Sequence, residues 1–367
     1  MPATKNLNII APIGFTGYGI AAANLSLALK KLDYKIALFP IGTVQCEPQH
    51  EKVFAEMQAD AGQFDTNSSC LRIWHQNNMA EFVGNGPHIA FPFFELDTFN
   101  AREKHHLDSV DVIFTTSKWG KDVIVNNIGR EDDIEIVPLG VDREIFHQEV
   151  KSDGLGEDYT TFLNIGKWEV RKGHDFLLNA FNNAFIPSDK VTLKMLCDNP
   201  FIGQAGNNHW RSQYLNSKMG PNIQILDRVK DHSGVARVIA DADCGVFPAR
   251  AEGWNLELLE CLSMGKQVIA THNTAQREYL SNKNAHLIVC DEMEPAIDGI
   301  WFHGQGNWPK LGDDQMEQTV HHMRKVHVAK QLGALSANEH GISIAKEFTW
   351  DEAAKKMDAI LSAVGFY

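Results

Sequence analysis

The stretch "RAEGWNLELLECLSMGKQVIAT" (250–271) sets three glutamates, Glu252, Glu257 and Glu260, among apolar strand-like and helix-like runs. Long acidic side chains are almost never fully buried unless paired. Either the helix has a wet face or the carboxylates hold something. "CGVFPA" (244–249) reads as a strand and "LELLECLSM" (256–264) as a helix ended by Gly265, a suitable C′ residue. Asn255 suits the N-cap, and Glu257 falls in the first turn, where the dipole favours an acid. A helix advances roughly 100° per residue, so on one continuous helix residues 252 and 260 would misalign by about 80°. The loop before Asn255 removes that constraint and lets Glu252 and Glu260 face a cleft together. Backbone amides at 255–257, those of Asn255 and Leu256 included, would then form an anion site at the helix start. A plain polar loop with a solvated helix face fits the spacing equally well.

A second candidate loop is "APIGFTGYG" (11–19). Its spacing is GxxGxG rather than GxGxxG, and the next strand, "KIALFP" (35–40), ends without an acid for a ribose. A dinucleotide site is therefore disfavoured. Gly14 and Gly17 would instead let the backbone approach a sugar or phosphate, or make a tight turn. No metal site is expected. Asp241 and Asp243 in "DADC" precede a strand, which is the wrong end of a sheet for a ligand, and no HExxH occurs among the 16 histidines.

The elements around these loops alternate. Strands are expected at 7–12, 35–40, 71–75, 88–94, 111–117 and 134–140, with helices between most of them. The polar segment 147–160 reads as a linker. The rhythm resumes at 160–167, 191–197, 223–227, 244–249, 267–271 and 286–290. After Trp301 the chain reads as helical to the end, closing on "WDEAAKKMDAILSAV" (350–364). Apolar runs alternating with helices mean α/β domains whose parallel sheets are covered on both faces. At 367 residues the prior is two domains. They are drawn at 1–150 and 151–349, both doubly wound, with a cleft between them.

Formal charge is −13, which argues against a general affinity for nucleic acid or anionic membrane. No signal-like start and no run of 18 apolar residues is seen, so a cytoplasmic location is expected, with transient membrane contact left open. The six cysteines lack CxxC spacing and read as free thiols.

"EGWNLELLECLSMG" followed by "QVIAT" resembles the E-x7-E signature of retaining glycosyltransferases of family 4. "NIGKWEVRKGHDFLLNAF", "IVPLGVDREIF", "FTTSKWGKDVI" and "EFTWDEAAKKM" resemble further segments of that family, in order. The resemblance implies a GT-B fold, two Rossmann-like domains with the helix at about 350–367 crossing back to the first. It implies transfer of a sugar, of the hexosyl type, from a nucleoside diphosphate sugar to a glycan, lipid-linked or small-molecule acceptor, with retention and without a metal. Lys167 then takes the place of the family's Arg, and Lys172 that of its Lys, at the diphosphate. Glu260 would hold the ribose and Glu252 the sugar. His75, in "LRIWHQNN", would lie near the donor sugar, although a core histidine fits as well. Glu95 in "PFFELDTF" would touch acceptor or donor. Arg171, at a helix start, reads first as a surface arginine. Asn255 and Glu257 replace the usual Gly and Pro, so donor preference does not carry over. A same-fold epimerase or phosphorylase, or a binding protein without catalysis, is the rival reading.

Overall fold

The computed structural model describes residues 5–151, 158–363 and 365. The chain forms two compact units, Met1–Gly140 with Phe348–Tyr367, and Val141–Glu347. The units part at Gly140, ten residues before the boundary drawn at 150. The reason is that the segment after Gly140 packs into the second unit: Phe146 is buried there, and its carbonyl accepts from Ser263 Oγ at 2.6 Å. Part of the expected linker, 152–157, lies outside the described residues.

The first unit holds one six-stranded parallel sheet: β1 (Lys5–Ala11), β2 (Tyr34–Pro40), β3 (Cys70–Trp74), β4 (His88–Pro92), β5 (Val112–Thr115) and β6 (Ile134–Ile136). Their order is β2-β1-β3-β4-β5-β6. Winding therefore reverses between β1 and β3. The loops after those two strands open side by side at the carboxyl edge, where ligands of doubly wound sheets bind. The terminal helix Trp350–Ala363 belongs to this unit. It buries Trp350, Ala353, Ala354, Met357 and Leu361, a spacing of three and four. Asp358 Oδ1 meets Lys5 Nζ at 2.7 Å and accepts from the Tyr34 hydroxyl at 2.8 Å.

The second unit repeats the plan with β7 (Thr160–Gly166), β8 (Val191–Cys197), β9 (Ile223–Ile225), β10 (Cys244–Phe247), β11 (Gln267–Thr271) and β12 (His286–Ile288). The order is β12-β11-β10-β7-β8-β9. β8 is buried at every position, as a strand covered on both faces must be. Phe162, Leu193, Met195, Val246 and Ile269 from the sheet pack with Leu177 and Phe181 of the helix His174–Ala184. Each fully buried side chain of this size stabilises by about 1.5–3 kcal/mol. Here winding reverses between β7 and β10, so the loops 167–173 and 248–255 converge.

One expectation fails. The chain after Trp301 is not wholly helical, for an antiparallel hairpin, β13 (Met293–Ile297) with β14 (His303–Pro309), stands before the last helices. Its strands are mostly solvated, so the apolar alternation that marks a half-buried strand is missing.

Candidate functional site

The converging loops of the second unit build a buried ion cluster. Lys172 Nζ lies 2.9 Å from Glu252 Oε1 and 3.9 Å from Glu257 Oε1. Arg171 Nη1 lies 3.0 Å from Glu252 Oε2 and donates to the Ala251 carbonyl at 2.7 Å. Its Nη2 and Nε both donate to Glu169 Oε2, at 2.7 and 3.1 Å. Lys167 Nζ reaches Glu169 Oε1 at 2.9 Å. Three cations and three carboxylates thus alternate across two segments some 80 residues apart in sequence, Glu257 from the first turn of the helix Leu256–Ser263. Arg171 is buried, not a surface arginine as expected.

Glu252 and Glu260 are also less wet than a solvated face would make them, at 6% and 8% exposure. Their surroundings differ. Burial pushes the Glu252 carboxyl up, but Lys172 and Arg171 outweigh it and hold it below the ordinary value. Burial likewise raises Glu169, and Arg171 with Lys167 brings it down to about 2. Among the described residues no cation acts on Glu260. Burial, and then Glu257, raises its carboxyl well above the ordinary value. Lys172 is depressed by burial and raised further by Glu252 and Glu257, so it stays charged. The result is a fixed carboxylate and a fixed ammonium side by side, with a neutral-leaning carboxyl one helix turn on from Glu257.

Local structure explains the placement. Asn255 caps the helix Leu256–Ser263 as expected, its side chain accepting from Leu258 N at 3.3 Å in a left-handed backbone with φ 75°. The Tyr279 hydroxyl donates toward the carbonyls of Trp254 and Asn255, at 2.8 and 3.1 Å, and the Thr274 hydroxyl accepts from Glu252 N at 3.0 Å. Leu256, buried, is the first residue of that helix. Beneath the cluster, His174 Nδ1 accepts from Glu169 N at 3.0 Å, so Nε2 carries the proton and donates to Asn164 Oδ1 at 2.9 Å. Burial, then Lys172, drives this imidazole down to about 3. Arg250 clamps Asp175 with both nitrogens at 2.9 Å and reaches Glu294 at 3.0 Å. Glu169, His174, Asn164, Arg250 and Tyr279 were not singled out from sequence. Only the run "KWEVRKGH" gave a signal, through charges that follow a strand.

Asp241 and Asp243 are engaged elsewhere. Asp241 faces Lys194 at 3.4 Å, while Asp243 binds Lys330 at 2.9 Å and Thr161 N at 2.8 Å. Both precede β10, at the amino edge.

In the first unit, Gly14 lies in the loop after β1 and Gly17 is the first residue of the helix Gly17–Lys31, which begins without a side-chain cap. No atom lies within 4 Å of a Cβ built on either glycine. His75 follows β3 and is exposed, so the core alternative is corrected. The Tyr18 hydroxyl donates to the Phe93 carbonyl at 2.6 Å, so His75 Nδ1, 3.0 Å away, is the donor to Tyr18. In the neutral ring the acceptor lone pair is then on Nε2. Glu95 is half-buried just past β4. Ser117 is an N-cap, accepting from Gly120 N at 3.1 Å.

Residues 159–299 match the family described as Glycosyl transferases group 1. The sequence has no match among curated proteins. Sucrose-phosphate synthase from Thermosynechococcus elongatus superposes with a TM-score of 0.73 at 14% identity, over 98% of this chain and 99% of that one. Anabaena HepE, in complex with UDP and glucose, superposes at 0.71 and 13% identity, over 98% of this chain and 100% of that one. The lipopolysaccharide outer core galactosyltransferase WaaB gives 0.66 at 14% identity, over 98% and 99%. No helix among the described residues is long and apolar enough to cross a membrane. Over 159–299 the second unit is similar to the glycosyl transferases group 1, and both sheets have the GT-B architecture of the solved structures the chain resembles.

Proposed function

We propose that the chain transfers a sugar from a nucleoside diphosphate sugar to an acceptor hydroxyl with retention of configuration. The observation that carries this reading is the Lys172–Glu252–Arg171 cluster at the winding reversal of the second sheet, inside the family match. In the reaction the bond from the anomeric carbon to the diphosphate oxygen breaks, and its electron pair leaves with the diphosphate. The acceptor oxygen bonds to the same carbon and passes its proton to the departing diphosphate oxygen. Lys172 and Lys167 meet the growing negative charge, with the amides of Asn255 and Leu256 at the helix start. Glu252, held ionised, faces the positive sugar ring. Glu260 accepts or shares hydrogen bonds with ribose hydroxyls. In the first unit Gly14 and Gly17 leave room for substrate, His75 offers Nε2 to the sugar, and Glu95 serves the acceptor side.

Two of the similar structures are HepE with UDP and glucose and HepE with UDP-glucose, which supports a nucleotide-sugar donor. No metal is assigned a role, since both acids of the one DxD sequence hold lysines at the opposite sheet edge. The test is release of nucleoside diphosphate from a panel of nucleotide sugars, with and without sugar acceptors, in excess EDTA. Acceptor-dependent release with the anomeric configuration kept, read by NMR, is expected. Release without acceptor but with phosphate would mark a phosphorylase, and activity restored only by Mg²⁺ would overturn metal independence.

A further inference from the structure

The hairpin β13–β14 is tied to the site at its base and meets the loop after β8 at its tip. At the base, Glu294 Oε1 accepts from Arg250 Nε at 3.0 Å and from Trp308 Nε1 at 3.2 Å. Arg250 also lies over the Trp308 ring at 5.9 Å. At the tip, the Asp298 carboxylate accepts from the backbone amides of Ile300, Trp301 and Phe302, each at 2.8 Å. This turn is fixed, yet it shows apolar surface: Trp301 is 51% exposed.

The tip meets a second aromatic. Trp301 and Phe201 pack edge to face, with ring centroids 6.3 Å apart at 88°. Phe201 belongs to the loop after β8 and is 59% exposed. Its backbone is fixed by buried Asn199, whose Oδ1 accepts from Phe201 N at 3.0 Å while its Nδ2 donates to the Trp168 carbonyl at 3.0 Å. Trp168 lies between Lys167 and Glu169 in the site loop itself. Lys167 Nζ stands 5.3 Å over the Phe201 ring. Hence a half-exposed aromatic pair adjoins a cation assigned to the diphosphate.

We infer that Phe201 and Trp301 form the aromatic corner that holds the nucleobase of the donor, one ring stacking on its face and the other meeting its edge, with the hairpin acting as a specificity element of the second unit. This rests on the nucleotide-sugar reading above. A nucleoside diphosphate has its base one ribose away from its phosphates, and a planar ring is what an exposed aromatic face beside a phosphate-binding lysine fits. A nonpolar acceptor chain would have no use for Lys167. The family match ends at 299, inside this turn, so Trp301 lies beyond the matched segment.

Titration calorimetry with UDP, GDP, ADP and inorganic pyrophosphate tests the aromatic corner, using wild type, Trp301→Ala, Trp301→Phe, Phe201→Ala and Lys172→Ala. Stacking predicts that Trp301→Ala and Phe201→Ala each weaken the best-bound nucleotide by about tenfold or more, that pyrophosphate affinity stays put, and that Trp301→Phe restores most of the loss. If pyrophosphate weakens in step with the nucleotide, the aromatics only shape the loop and the inference falls. If both alanine variants bind nucleotide within about twofold of wild type while Lys172→Ala does not, the aromatic corner is wrong and the functional reading stands. If wild type binds none of the three nucleotides, both fall together.

Discussion

Lys172 Nζ lies 2.9 Å from Glu252 Oε1, and the lysine reaches there by crossing the face of Gly166. A Cβ at Gly166 would sit 2.9 Å from Lys172 Cδ, and its φ of +150° is one that other residues rarely adopt. The glycine that ends β7 thus decides where the ammonium goes, and the ammonium decides the charge of Glu252.

Lys172→Ala should therefore act twice. Losing a cation at the growing phosphate charge is expected to lower turnover by about 10²–10³-fold. Glu252 keeps Arg171, so the stability loss should stay below the roughly 3–5 kcal/mol of a fully orphaned buried charge. Initial rates, nucleotide titration and urea unfolding check this. Unaltered nucleotide affinity would remove Lys172 from the phosphate site.

Glu260→Gln should stabilise the protein at neutral pH. Below the ordinary carboxyl value Glu260 is neutral both folded and unfolded, and the two proteins differ little. As pH rises, the unfolded chain ionises first while the folded carboxyl, raised by burial and by Glu257, stays neutral. Stability is lost over that rise, up to the folded value. The melting temperature of the variant should accordingly gain on wild type from about pH 4.5 upward. Parallel melting curves across pH 4 to 8 would show that Glu260 is not held neutral. Nucleotide affinity should weaken in the same variant if the carboxyl serves a ribose.

Much of this was legible in the sequence because the strands are continuous apolar runs. β8 and β11 were read to their ends, 191–197 and 267–271. Asn255 and Gly265 marked their helix by type alone. The state of the glutamates was not legible, since "EGWNLELLE" is the same string whether its acids are wet or paired. The pairing comes from Arg171 and Lys172, brought from about 80 residues upstream by the strand order β10-β7. His174 and Asn164 show no periodicity that marks a buried polar pair. The hairpin was missed because its strands hide little, and its purpose lies at an exposed turn rather than in a core.

Gly19 and Gly17 should separate folding from function in the first unit. A Cβ on Gly19 would fall 2.5 Å from Gly14 N, so Gly19→Ala must move backbone and should cost about 1–3 kcal/mol. Gly17 has open space around it, and alanine at this helix start should leave stability unchanged or raise it by about 0.4–1 kcal/mol. Turnover should nevertheless drop in Gly17→Ala if substrate approaches that backbone. Equal activity in wild type and Gly17→Ala would reduce the loop to a turn.

His174 contributes to the acid limit of the second unit. Its imidazole is buried and neutral, depressed to about 3, while in the unfolded chain it takes up a proton near 6.5. A depressed group contributes stability that is whole above its unfolded value and is lost as pH falls toward the folded one. The loss therefore begins near pH 6.5 and runs toward about 3, at up to about 1.4 kcal/mol per pH unit for one proton. His286, depressed to about 4, adds to the same slope. His174→Gln should start less stable at pH 7, since Glu169 N and Asn164 lose a fitted partner. It should also lose less than wild type between pH 7 and pH 5, because it cannot take up that proton. Urea midpoints at the two pH values measure both effects. An identical fall in the two proteins would mean that His174 is already charged when folded, which Lys172 beside it and the amide pointing at Nδ1 both oppose.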